Sequence, residues 1–146
     1  MGDDGGCFEH ALAAVYRFGG VLEHPEGSHA FRHFKIRIPK WRDGWVRETM
    51  SAGMDAWVCC VAQGHYGHRA RKLSWLLAVA PREALPDFDF SIPAPRARLD
   101  RGFHSSAERK AAVSTVFIKR RLSRGENMRT PPTFAEWLVS LAQGAK

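Results

Sequence analysis

The chain has 146 residues, 45% of them hydrophobic and five of them Trp, which is the size and composition of one domain able to bury a sizeable core. Its 22 Lys and Arg against 15 Asp and Glu leave a net charge of +7 and a pI near 9.8, a balance that attracts polyanions. No run approaches the roughly 18 apolar residues needed to span a bilayer, and the acidic start Met1-Gly2-Asp3-Asp4 lacks the basic region of a signal peptide, so no membrane role and a cytoplasmic location are expected.

Phe8 to Phe18 places Phe8, Leu12, Val15 and Phe18 on one face at helical spacing, and Gly19-Gly20 ends the helix. Val21-Leu22-Glu23 then reads as a short buried strand, stopped by His24-Pro25. Residues 26–55 read as an insertion or long loop in which Phe34 to Ile38 alternates like an edge strand. Of its aromatics, Trp41 or Trp45 is expected to be partly exposed, and Trp57, just beyond, to be core. Ala56 to Ala62 and Leu73 to Ala80 are apolar runs of strand length, joined by the polar, basic connection Gln63 to Lys72.

The segment 81–104 is a Pro- and Arg-rich connector, with four prolines between Pro81 and Pro95. Ser105-Ser-Ala-Glu108 is a capping-box pattern opening a helix with Arg109, Lys110, Lys119, Arg120 and Arg121 on its outer side. A second such pattern, Thr133-Phe-Ala-Glu136, opens a final helix that buries Phe134, Trp137, Leu138 and Leu141.

Charge is concentrated: Arg96 to Arg124 holds nine basic residues against Asp100 and Glu108, and Arg32 to Arg47 holds six against Asp43. The densest polar constellation is His65, Tyr66, His68, Arg69, Arg71 and Lys72. An aromatic among cations suits nucleic acid, the cations meeting phosphates while the ring stacks on a base. The competing reading is a surface turn whose His and Arg only cap strand ends.

Other chemistry is less well supported. Cys59-Cys60-x4-His65-x2-His68 has zinc-like donors, but neighbouring residues on a strand point to opposite faces, so only one Cys could join the two His, and no metal is expected. Cys7 and His10 lie one helical turn apart, yet a buried, inert Cys at a helix start explains Cys7 better than a nucleophile does. Three cysteines, two of them adjacent, speak against a disulfide framework.

In order, Gly20-Val-Leu-Glu-His-Pro25, Cys59-Cys-Val-Ala-Gln63, Gly67-His68, Lys72-Leu-Ser-Trp-Leu-Leu77 and Leu85-Pro86, followed by the Ser/Arg/Thr-Pro segment Leu122 to Pro132, resemble the C-terminal half of phage-type DNA cytosine methyltransferase-like proteins. The chain also resembles uncharacterised phage and prophage proteins with Val-Leu-Glu-His-Pro and Gln-Gly-His-Tyr-Gly-His-Arg-Ala-Arg-Lys segments.

The resemblance implies an α/β fold: a partial Rossmann-like methyltransferase half-domain, a short sheet of three to five strands with flanking helices. It implies that Glu23 would hold a flipped cytosine, a catalytic role only if a partner completes the site. His24 stands where the family usually has Asn. The resemblance places the family's Pro-Cys loop and its Phe-x-Gly-x-Gly cofactor turn upstream of residue 1, so no cofactor is expected. Gly2 to Gly6 follows no strand and is not that turn.

Three functions remain open. The first is a phage-type, non-catalytic protein that binds nucleic acid or a nucleoprotein complex through His65, Tyr66, His68, Arg69, Arg71, Lys72, Lys119, Arg120 and Arg121, one version being an anti-CRISPR inhibitor of a host defence complex. The second is half of a split DNA methyltransferase paired with a cofactor-binding half. The third is an unrelated hydrolytic or metal-dependent enzyme that uses the His-rich turn. A truncated sheet has an unpaired edge, so a homodimer or a partner chain is also expected.

Overall fold

The computed structural model describes residues 5–49, 53–89, 91 and 122–144. Helix α1 spans Cys7–Phe18 and strand β1 Gly20–Pro25; a short helix α2, His29–His33, and a two-residue strand β2, Val46–Arg47, precede the main strands β3, Ala56–Ala62, and β4, Leu73–Val79. A five-residue helix α3, Arg124–Met128, and the terminal helix α4, Pro132–Gly144, complete the described elements. The expected basic helix over 105–121, with Lys119, Arg120 and Arg121, lies outside the described residues.

The four strands form one sheet in the order β1-β4-β3-β2. β1 pairs with β4 antiparallel, from Gly20 opposite Val79 to Pro25 opposite Ser74, and β2 pairs antiparallel with β3. Between β3 and β4 the bonds from Ala80 N to Asp55 O and from Gln63 N to Lys72 O bracket a third antiparallel ladder. An isolated parallel bridge joins Trp41 to Cys60. The fold is thus a mixed α/β one. Among the described residues its ladders are antiparallel, whereas a Rossmann-like sheet is built from parallel strand–helix–strand crossovers.

The chain divides into two compact units, one of residues 1–61, 73–90 and 135–146, the other of residues 62–72 and 91–134. In the first, α1 packs on β1 and β4. Phe8 meets His24 edge-on at 5.1 Å and stacks on Phe34 at 5.2 Å, and Phe31 lies 5.4 Å from Trp75. His24 and Trp75 are directly opposite in the ladder, so these rings fill one face of the β1–β4 pair. Ser74, Leu76 and Ala78, on the other face of β4, are buried as well. Burial on two faces explains why β3 and β4 read as unbroken apolar runs.

Several local expectations are corrected. Phe34 to Ile38 is no edge strand: Phe34 caps α2 and Lys35 has φ 56°, which breaks an extended run. The alternation survives only as burial of Ile36, while the Arg37 N–H donates to the carboxylate of buried Glu48 at 2.6 Å. Phe18 is 70% exposed rather than inward, with the Arg17 guanidinium 5.1 Å over its ring, because the chain leaves the helix at Gly19, φ 75°. Cys7 is exposed rather than buried, and Cys59 and Cys60 are both buried in β3. Trp45 is the buried member of its pair, its indole N–H donating to Pro86 O at 2.9 Å, and Trp41 is half-buried. Trp57 is only half-buried, with the Arg47 and Arg82 guanidiniums 5.9 and 6.0 Å from its ring. No helix among the described residues is long and apolar enough to cross a membrane.

Candidate functional site

The second unit holds the constellation that the sequence singled out. A 3-10 turn, Gln63–Tyr66, follows β3 and is closed by Gly67 at φ 96°, a left-handed conformation that a residue with a Cβ adopts only under strain. The turn is anchored on itself by bonds from Gln63 N to Lys72 O, 2.9 Å, Gly64 N to Arg71 O, 3.2 Å, and His68 N to Gln63 O, 3.2 Å.

Opposite it lies the segment Leu122 to Pro132, which entered the sequence analysis only as part of the resemblance. Ser123 accepts a hydrogen bond from the Glu126 N–H while the Glu126 carboxylate accepts one from the Ser123 N–H at 2.8 Å, a reciprocal capping box that starts α3. The Ser123-Arg-Gly-Glu126 signature was present in the sequence, but the basic and Pro-rich surroundings obscured it. The expected box at Thr133 does not form, because α4 already begins at Pro132.

Four side chains tie the turn to this segment. His68 is buried; its Nδ1 lies 3.1 Å from both the N–H and the carbonyl of Ala70 and its Nε2 lies 3.1 Å from Glu126 O, so a proton on Nε2 donates to Glu126 O and leaves Nδ1 to accept the Ala70 N–H. The alternative neutral tautomer would set an unprotonated Nε2 against a carbonyl oxygen. Lys72 Nζ donates to Arg129 O at 2.6 Å, and the Thr133 hydroxyl donates to Tyr66 O. The Arg69 guanidinium pairs with the Glu126 carboxylate. Glu126 is held down at about 2 by the Ser123 backbone N–H first, then the Ser123 hydroxyl and Arg69, so it stays ionised at any physiological pH.

These contacts separate the predicted residues by role. His68 and Lys72 act as latches, and Arg69 is engaged with Glu126. His65 is half-buried, and the half-buried ring of Tyr66 sits 5.1 Å from Phe134. Arg71 is exposed, as are Arg124 and Arg129, which the sequence reading had not singled out; none of the three has a carboxylate partner among the described residues. Glu23 belongs to the first unit, half-buried in β1 opposite Leu76.

Between turn and segment lies a cleft of about 450 Å³. Its walls are Tyr66, Leu122, Pro131 and Pro132, largely apolar, with Arg69, Arg129 and Glu126 among its polar groups. The dimensions suit a small ligand or one inserted residue or base.

Among the described residues no cluster of three His, Cys, Asp or Glu could hold a metal ion. Burial, and then neighbouring Cys60, push the Cys59 thiol well above its ordinary range, which disfavours the thiolate that a ligand or nucleophile needs.

The two units differ most in charge. The second carries thirteen Lys and Arg against three Asp and Glu, whereas the first carries nine against twelve. The excess of ten in one and the deficit of three in the other make up the net +7. Set against known proteins, the chain matches no protein-family model, no curated protein and no solved structure.

Proposed function

We propose that this chain is a non-catalytic binding protein of phage type whose second unit holds nucleic acid or a nucleoprotein complex. The observation that carries the reading is the division of charge: a net +10 on the second unit beside a net −3 on the first. A merely solubilising surface would spread its cations over both. Concentrating them in one unit creates a local field that draws in a polyanion and orients it. Arg71, Arg124 and Arg129 are the described cations best placed to meet phosphates, since latching contacts and the Glu126 pair occupy Lys72 and Arg69. Lys119, Arg120 and Arg121, which lie outside the described residues, enter the proposal only as charges of the sequence. The phage-type part of the proposal, with inhibition of a host defence complex as one version, rests on the sequence resemblance.

The finer fold reading, a Rossmann-like methyltransferase half, belongs to the alternative in which a separate chain completes a split enzyme around Glu23. The antiparallel ladders lend it no support. A 1:1 complex of the isolated chain with S-adenosylmethionine in calorimetry would revive a methyltransferase reading. The binding proposal is tested by fluorescence anisotropy of labelled duplex, single-stranded and structured probes at about 50 mM salt, where electrostatic binding is strong. Submicromolar binding that weakens steeply with salt is expected; no binding to any probe would overturn direct nucleic-acid recognition.

A further inference from the structure

We infer that the cleft of the second unit receives one unpaired base, so that the nucleic acid held there is single-stranded or locally opened. This rests on the binding function proposed above and narrows it. The cleft has the two chemistries of a nucleotide side by side. Its lining combines Tyr66, Leu122, Pro131 and Pro132 with the two cationic residues Arg69 and Arg129.

A base is apolar on its faces and hangs from an anionic backbone, so it meets walls and cations together. At about 450 Å³ the cleft has room for one base with its sugar, and a stacked, paired duplex presents no free base face to enter it. The Tyr66 ring is backed by Phe134 at 5.1 Å and its main chain is held by the Thr133 hydroxyl, so the stacking platform is in place before the ligand arrives.

The Glu126 carboxylate orients the lining in a second way. Because Ser123 and Arg69 hold it ionised, it pairs with the Arg69 guanidinium and, as an anion in the lining, repels a phosphate from its own side of the cleft. Phosphates are thereby directed toward Arg129 and the base toward the apolar walls. The unit's large excess of cations supplies the attraction, and the cleft supplies the discrimination between paired and unpaired bases.

The test compares three probes of equal length and charge per strand on the unmodified protein: a single strand, the same strand with consecutive abasic sites at its centre, and the duplex. The intact single strand should bind about tenfold or more tightly than the abasic strand, the range expected for one stacked base. Tyr66→Phe should keep that preference and Tyr66→Ala should abolish it, leaving binding to the abasic strand unchanged. Equal affinity for intact and abasic strands on the unmodified protein would overturn the base-receiving cleft while leaving electrostatic binding intact. Failure of all three probes to bind would instead remove the proposed function itself, and the cleft inference with it.

Discussion

His68 shows how residue type alone misleads about role. A His in a basic, Gly-rich turn reads as a phosphate or metal contact, yet here it is buried, with Nδ1 and Nε2 both used to join Ala70 and Glu126. Removing it leaves buried backbone groups without partners, so His68→Ala should cost about 1–3 kcal/mol in chemical denaturation. Arg71→Ala, at an exposed position of the same turn, should stay within about 0.5 kcal/mol. Similar small losses for both would show that His68 is no latch. Glu126 predicts a pH effect of definite sign. Its folded value of about 2 lies below its ordinary 4.5, so its contribution is fully present above 4.5 and is lost as pH falls toward 2. Glu126→Gln should therefore flatten the melting temperature against pH across that window and leave its shape near neutrality unchanged.

At the scale of elements, α3 is too short to be stable by itself and depends on its cap. Ser123→Ala should destabilise the protein by about 1 kcal/mol and speed amide exchange over residues 124–128, where the box starts the helix. Unaltered exchange there would mean that the latches from His68 and Lys72 hold α3 without its cap. The turn on the other side of the cleft depends on Gly67. A Cβ there would meet nothing within 4 Å, so the penalty of Gly67→Ala is the left-handed backbone at φ 96° alone, about 1 kcal/mol. Loss of base preference in this variant, with its fold retained, would tie the turn's shape to the cleft.

At the scale of the whole molecule, the division of charge makes a prediction that total charge cannot make. Each phosphate contact contributes roughly 0.7 to 0.9 to the slope of log affinity against log salt. Arg71→Ala with Arg129→Ala, both in the positive unit, should therefore lower that slope by about 1.4 to 1.8. Arg32→Ala with Arg42→Ala removes the same charge from the other unit and should leave the slope nearly unaltered. Equal effects from the two pairs would show that binding follows net charge and not the division between units.

The sequence by itself determined α1, α4 and the two central strands, because their signals are local: Gly19 ends α1, and the unbroken apolar runs at 56–62 and 73–79 suit strands buried on both faces. It also located the basic turn. Direction of pairing was beyond its reach, since an apolar strand fits a parallel or an antiparallel neighbour equally well, and β4 enters between β1 and β3 only through contacts distant in sequence. The failed edge strand at 34–38 has the same origin: alternation reports which side is buried, not whether a partner strand is there to accept the bonds. Only the tertiary structure brought Leu122 to Thr133 against Tyr66 to Arg69 and turned His68 and Lys72 into latches. Hydrogen bonds between residues some 57 positions apart leave no periodic trace in the chain, so the cleft they frame becomes visible only once it has folded.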